Sequence, residues 1–151
     1  MATTEKQVLA VAGGLLLAFA ALWKWRKRPR VFISFDYDHD EELRTLLVGQ
    51  AKNERTPFEF VDWSLKDASP DWKAEARAAI RRSEAVIVIC GEHTDTTRGV
   101  TEEIRIARQE RRPYFLLRGR RDIPCTKPAG AARGDVMHDW KWDTLADLLK
   151  G

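Results

Sequence analysis

Glu102 and Glu103 stand side by side in Gly99-Val-Thr-Glu-Glu-Ile104, and helical geometry separates their chemistry. Val100, Ile104 and Ala107 recur at i, i+4 and i+7 and define a buried stripe. A rotation of about 100° per residue puts Glu103 about 60° from Val100 and Glu102 about 160° away. Glu102 is then a solvated first-turn acid favoured by the helix dipole. Glu103 is turned toward the protein, where a carboxylate costs free energy unless it meets a partner or a ligand. Arg105, Arg108, Arg111 and Arg112 are expected on a solvated face that suits the same dipole. A second concentration of acids, Asp36-Tyr-Asp-His-Asp40, follows a short apolar run. Asp38 or Asp40 is placed to cap the next helix, which leaves the others, Asp36 among them, for a site. Trp63, beside Ser64, is a large aromatic in a polar stretch. It either packs locally or offers a flat face to a nucleobase or a partner surface, and His93 has the same two readings. Three His and no close Cys/His set give no metal site to expect. The GxGxxG, Walker A and GxSxG patterns are absent. Ser34 lies inside Val31-Phe-Ile-Ser-Phe35, and spacing assigns it no His/Asp pair.

These residues need elements to hold them. Residues 31–35 read as a short apolar strand. Residues 40–53 read as a helix with Leu43, Leu46, Leu47 and Ala51 on one face. Residues 58–61 make a second strand, and 71–83 a helix with Trp72, Ala76, Ala79 and Ile80 at helical spacing. The continuous β-branched run 85–90 signals a strand buried on both faces, as in a parallel sheet. A third helix spans about 100–112, stopped by Pro113, and residues 114–117 form a fourth strand. Residues 119–135 are loop-like, a short strand lies near 136–140, and the last helix covers 144–150 with Leu145, Leu148 and Leu149 inward. The alternation predicts an open, doubly wound α/β sheet. In such sheets ligands bind beyond the carboxyl ends of the strands, so the loops 36–40, 62–70 and 91–99 hold the candidate site. Two acids after a first strand also resemble the metal pocket of phosphoreceiver domains. That chemistry needs an acceptor Asp after the third strand and a later Lys, where this chain has Cys90-Gly91-Glu92 and Arg118-Gly119-Arg120.

At 151 residues the chain has room for one ordinary domain, and 44% hydrophobic with 32% charged residues fits a globular one. The net charge of +3 is unevenly spread. Residues 1–30 carry six basic residues and one acid, so the rest is slightly acidic. That argues against nucleic acid as a partner, since such domains carry their basic excess on the folded part. Two cysteines exclude a disulfide scaffold, and Cys90, ending an apolar run, reads as a buried free thiol. Residues 8–23, VLAVAGGLLLAFAALW, hold no charge. As a helix they extend about 24 Å, and Trp23, Trp25 and a snorkelling Lys24 make up the remaining reach. Signal peptides place their positive charge before the apolar run, whereas here Lys24, Arg26, Lys27, Arg28 and Arg30 follow it. The expectation is residues 1–30 as a single-pass transmembrane anchor in the lipid bilayer. The N-terminus is then outside and the domain, residues 31–151, is cytoplasmic.

The runs VFISFDYDHDEELRTLLVGQAKN, FVDWS and AVIVICGEHTDTTRGVTEEIRIA together resemble the TIR-like family of bacteria and archaea, which includes the TIR-like subunit of Thoeris antiphage defence. The resemblance covers about residues 31–142. It implies a flavodoxin-like doubly wound parallel sheet, here preceded by one transmembrane helix, with strand order 2-1-3-4-5. Catalytic TIR domains cleave the nicotinamide–ribose bond of NAD, their substrate, using a Glu early in the third helix followed by a large apolar residue. Glu103-Ile104 matches that pattern, while the usual Trp-Cys before it is replaced by Gly99-Val100. The loop after the second strand, with Trp63 and Ser64, would help close the site, and Ser34, Phe35 and Asp36 would line its opposite wall. Asp38 and His93 complete the substrate-binding candidates. The products would be ADP-ribose or a cyclic relative read by a downstream effector. TIR-type domains also self-associate. The alternative the resemblance leaves is a non-catalytic TIR-like interaction module that docks with partner domains at the membrane.

Overall fold

Six consecutive apolar residues, Ala85–Cys90, are buried on both sides and form the central strand β3. Such a run can be shielded only between two layers of helices. In the computed structural model, which describes residues 28–61 and 69–150, this happens. Strands β1 (Arg30–Ser34), β2 (Glu59–Phe60), β3, β4 (Tyr114–Arg118) and β5 (Met137–Asp139) form one sheet in the order β2-β1-β3-β4-β5. Every pairing is parallel, with Ile33 opposite Ile87 and Ile87 opposite Phe115. The helices are α1 (Glu41–Ala51), α2 (Trp72–Arg82), α3 (Arg98–Gln109) and α4 (Trp142–Leu148), with a one-turn 3-10 helix at Thr94–Thr96.

Side chains alternate between the two faces of a strand, and this divides the core in two. Phe32, Val86, Val88, Cys90 and Leu116 pack under α2 and α3, against Ala76, Ala79, Ile80, Val100, Ile104 and Ala107. Val31, Ile33, Phe35, Ile87, Ile89 and Leu117 pack under α1 and α4, against Leu43, Leu47 and Leu145. Burial pushes the Cys90 thiol up to about 12, with the nearby Cys125 adding to the shift, so it is an inert core group. The order of the sheet reverses between β1 and β3. From β1 the chain runs outward to β2, then returns to place β3 on the other side. The loops leaving β1 and β3 therefore diverge, and the crevice between them is the place where this topology binds ligands.

The structure differs from the sequence reading in several places. Leu46 is 56% exposed, because α1 seats only the Leu43–Leu47 stripe on the sheet, and Leu46 instead borders a surface cleft. Asp40 occupies the N-cap position of α1, but its side chain makes no capping hydrogen bond. Pro113 does not stop α3. The helix ends at Gln109, and Arg111 turns the chain in a left-handed conformation with φ of 55°. Arg112 N–H then bonds Ala107 C=O and Arg111 N–H bonds Arg108 C=O, which is a Schellman closure. The anchor segment 8–23 lies outside the described residues, as do Trp63 and Ser64. Among the described residues no helix is long and apolar enough to cross a membrane.

Candidate functional site

β1 delivers Ser34, Phe35 and Asp36 to the mouth of the β1/β3 crevice in consecutive positions, and strand alternation sends them different ways. Ser34 is 1% exposed and faces the α2–α3 side. Its hydroxyl donates a hydrogen bond to Glu103 Oε2. The buried stripe Val100–Ile104–Ala107 fixes the rotation of α3, so Glu103 comes to lie over the end of β1. A serine in strand one and a glutamate 69 residues later thus form one polar pair. Phe35 goes to the other layer: it packs in the α1-side core, its ring 4.6 Å from Tyr37.

Asp36 is 3% exposed, and both its carboxylate oxygens are used. Oδ1 accepts the Asp38 N–H at 3.1 Å, an Asx turn that bends the chain after β1. Oδ2 is 2.8 Å from His39 Nδ1. The Asp36 carbonyl accepts the Asp40 N–H at 2.8 Å and closes the turn into α1. The hydrogen bond that His39 donates to Asp36 holds the His39 pKa above its ordinary value, with Asp38 and Asp40 adding smaller attractions. Asp38 itself is exposed. Across the crevice, His93 from the β3–α3 loop sets its ring 4.4 Å from that of His39.

Glu102 is not the freely solvated acid expected from helical rotation. Its side chain is 17% exposed, bonded by Arg105 at 2.9 Å and approached by Lys73 of α2 at 3.7 Å. Arg105 holds its pKa below the ordinary carboxylate value. The neighbouring arginines are also engaged: Arg108 bonds the Tyr114 hydroxyl at 2.8 Å, and Arg112 bonds the Arg81 carbonyl at 2.8 Å.

Besides His39, four residues outside the expected set shape the mouth: Asp40, Arg120, Gly91 and Thr126. Asp40 is 1% exposed, with Oδ2 lacking a hydrogen-bond partner and Oδ1 3.5 Å from Arg120. Burial raises its pKa, and Arg120 offsets part of that. Gly91 lies directly against this carboxylate, where any Cβ would collide with it. Thr126, from the long stretch after β4, ties down the β3 loop: its N–H bonds Gly91 C=O at 2.8 Å and its hydroxyl bonds Glu92 C=O at 3.1 Å. The Asp36–His39 spacing of three residues is the one part of this arrangement the sequence displays directly. A separate cleft of about 220 Å³ lies at the ends of β4 and β5, lined by Leu46, Gln50, Arg118, Arg121, Asp139 and Trp140. It shares no residue with the Ser34–Glu103 pair.

The mouth therefore combines an inward carboxylate held by a buried hydroxyl with a carboxylate–imidazole pair on the opposing loop. It can stabilise a developing positive charge and handle a proton. The TIR domain of the Toll-related receptor TRR-2 from Hydra magnipapillata shares the fold, with a TM-score of 0.53 and 18% identity over 80% of this chain and 90% of that one. No curated protein sequence matches the chain. The family described as "Thoeris protein ThsB, TIR-like domain" matches residues 32–119, the stretch from β1 through β4 that carries Ser34, Asp36, His39, His93 and Glu103. By that match over more than half its length, the chain belongs to the ThsB-type TIR-like domain family.

Proposed function

We propose that this chain is a membrane-anchored TIR-like enzyme that cleaves the nicotinamide–ribose bond of NAD. The observation that carries the reading is the Glu103 carboxylate bonded to Ser34 at the carboxyl end of β1. Departure of nicotinamide takes the bonding pair onto the ring nitrogen and leaves an oxocarbenium-like ribosyl cation. A carboxylate beside the ribose binds its hydroxyls and stabilises that charge, while the Ser34 hydroxyl holds the carboxylate in one orientation. Water attack yields ADP-ribose, and attack by a nitrogen of the substrate's own purine yields a cyclic product. Either would serve as a signal to a downstream effector in antiphage defence. The residues 8–23 anchor concentrates the domain on the cytoplasmic leaflet, where self-association of TIR-like domains needs only weak contacts.

The test is NAD turnover by the full chain, resolved by mass spectrometry with and without lysate from phage-infected cells. Glu103→Gln keeps size and hydrogen bonding but removes the charge. It is expected to lose about 10²–10³ in rate. Glu102→Gln is expected to retain turnover, because Glu102 is engaged with Arg105 and Lys73. A folded Glu103→Gln chain with wild-type turnover overturns the assignment. Absence of NAD cleavage by the wild type under both conditions favours the docking-module reading.

A further inference from the structure

The Asp36–His39 pair has the geometry of a carboxylate-oriented imidazole. Asp36 is buried, and its own orientation is fixed by the Asp38 N–H. It holds His39 at Nδ1, at 2.8 Å. A carboxylate at Nδ1 selects the tautomer with the proton there and leaves the Nε2 lone pair free. The His39 side chain is 52% exposed, so this lone pair meets solvent or substrate. The ring stands on the β1 loop at the switch-point crevice, against His93 of the β3 loop, the two rings tilted by 45°. Ser34, which holds Glu103, ends β1 only two residues before Asp36. Strand geometry separates those two α-carbons by about 7 Å, well within the span of one nucleotide.

We propose that His39, oriented by Asp36, is the base that takes the proton from the attacking water when NAD is hydrolysed. This inference rests on the NAD-cleavage reading above. The C1′–nicotinamide bond breaks with its electron pair passing to the pyridine nitrogen. The water oxygen forms the new bond to C1′. Its proton passes to His39 Nε2 and then to solvent, giving ADP-ribose, nicotinamide and one proton. Glu103 stabilises the cation in this step and is not required to move a proton. His93 supports the His39 ring from the facing loop.

The division of labour is testable because a pyridine base can replace water as the nucleophile. Attack by neutral 3-acetylpyridine on C1′ gives a new pyridinium nucleotide and releases no proton. The full chain is supplied with NAD with and without 3-acetylpyridine, and both hydrolysis and base exchange are measured. Wild type is expected to carry out both. His39→Asn is expected to lose about 10²-fold in hydrolysis while retaining exchange, since a positioned base contributes on that order. Asp36→Asn, which keeps the imidazole but frees its orientation, is expected to show a smaller loss of the same kind. Glu103→Gln is expected to lose both reactions. Wild-type hydrolysis should also rise with pH through the titration of His39, which Asp36, Asp38 and Asp40 hold above its usual value and which His93, with Glu92 beside it, faces. His39→Asn should lack that rise. Hydrolysis at the wild-type rate in His39→Asn, or an equal loss of hydrolysis and exchange in both His39→Asn and Asp36→Asn, overturns the role of His39 and leaves the NAD reading intact. Absence of both reactions in the wild type overturns the NAD reading, and this inference with it.

Discussion

A methyl group at position 91 would fall on the carboxylate of Asp40, so these two residues are matched: only glycine leaves room for the acid. The acid is unusual in turn, being buried with one oxygen unpartnered and the other only loosely approached by Arg120. Its pKa is raised chiefly by that burial. The folded state therefore holds the Asp40 proton more tightly than the unfolded chain does. The resulting stability is fully present below the unfolded carboxylate pKa and is lost as pH rises through the raised folded value. Asp40→Asn cannot suffer that loss. The difference in melting temperature between Asp40→Asn and wild type should therefore move in favour of the variant between about pH 3.5 and pH 7. A constant difference across that range would mean that Arg120 compensates the charge fully. Glu102 shows the opposite balance, because exposed cations surround it and lower its pKa.

At the scale of the element, α3 is the part that decides the site. Its stripe of Val100, Ile104 and Ala107 is almost completely buried, and this fixes the helix rotation to which Glu103 owes its direction. Cross-helix contacts hold the same rotation from outside: Glu110 pairs with Arg77 and Arg81 of α2, and Glu102 with Lys73. The end of α3 is less well suited to its sequence. Arg111 sits at the left-handed position of a Schellman closure, where a residue with a Cβ is strained and glycine is favoured. Arg111→Gly should stabilise the fold by about 0.5–1 kcal/mol, partly offset by the greater freedom of glycine in the unfolded chain. Chemical denaturation at fixed pH measures this. A destabilised Arg111→Gly would show that the arginine side chain contributes more than its backbone strain costs.

On the scale of the whole molecule, charge separates two regions. The basic residues 24–30 follow an uncharged run, and the domain beyond carries a slight acidic excess. If residues 8–23 span a membrane, the positive-inside rule puts that basic cluster, and the domain with it, in the cytoplasm. A reporter active only outside the cytoplasm, fused after Gly151, should give no signal, whereas one active only inside should report fully. A strong external signal would reverse the orientation.

Local rules in the sequence determined the order of elements. The stripes at 72–80 and 100–107 carry the helical period, while the short, bounded apolar runs 85–90 and 31–35 have the length and composition of buried strands. The inward turn of Glu103 was legible for the same reason, since one helix stripe fixes every other direction on that helix. What that carboxylate meets was not legible, because Ser34 is 69 residues away and reaches it only when β1 lies beside β3 beneath α3. The exposure of Leu46 was hidden likewise: α1 reads as one apolar face, but the sheet accommodates only part of it. The left-handed stop at Arg111 escaped because neither glycine nor asparagine marks it, and the grip of Thr126 on the β3 loop because a loop's partners carry no period. Periodicity is a property of the local chain and survives in the sequence. The pairing of Glu103 with Ser34, of Asp40 with Gly91 and of His39 with His93 depends on which loops the sheet order brings together, and that order is set by packing the two core layers at once.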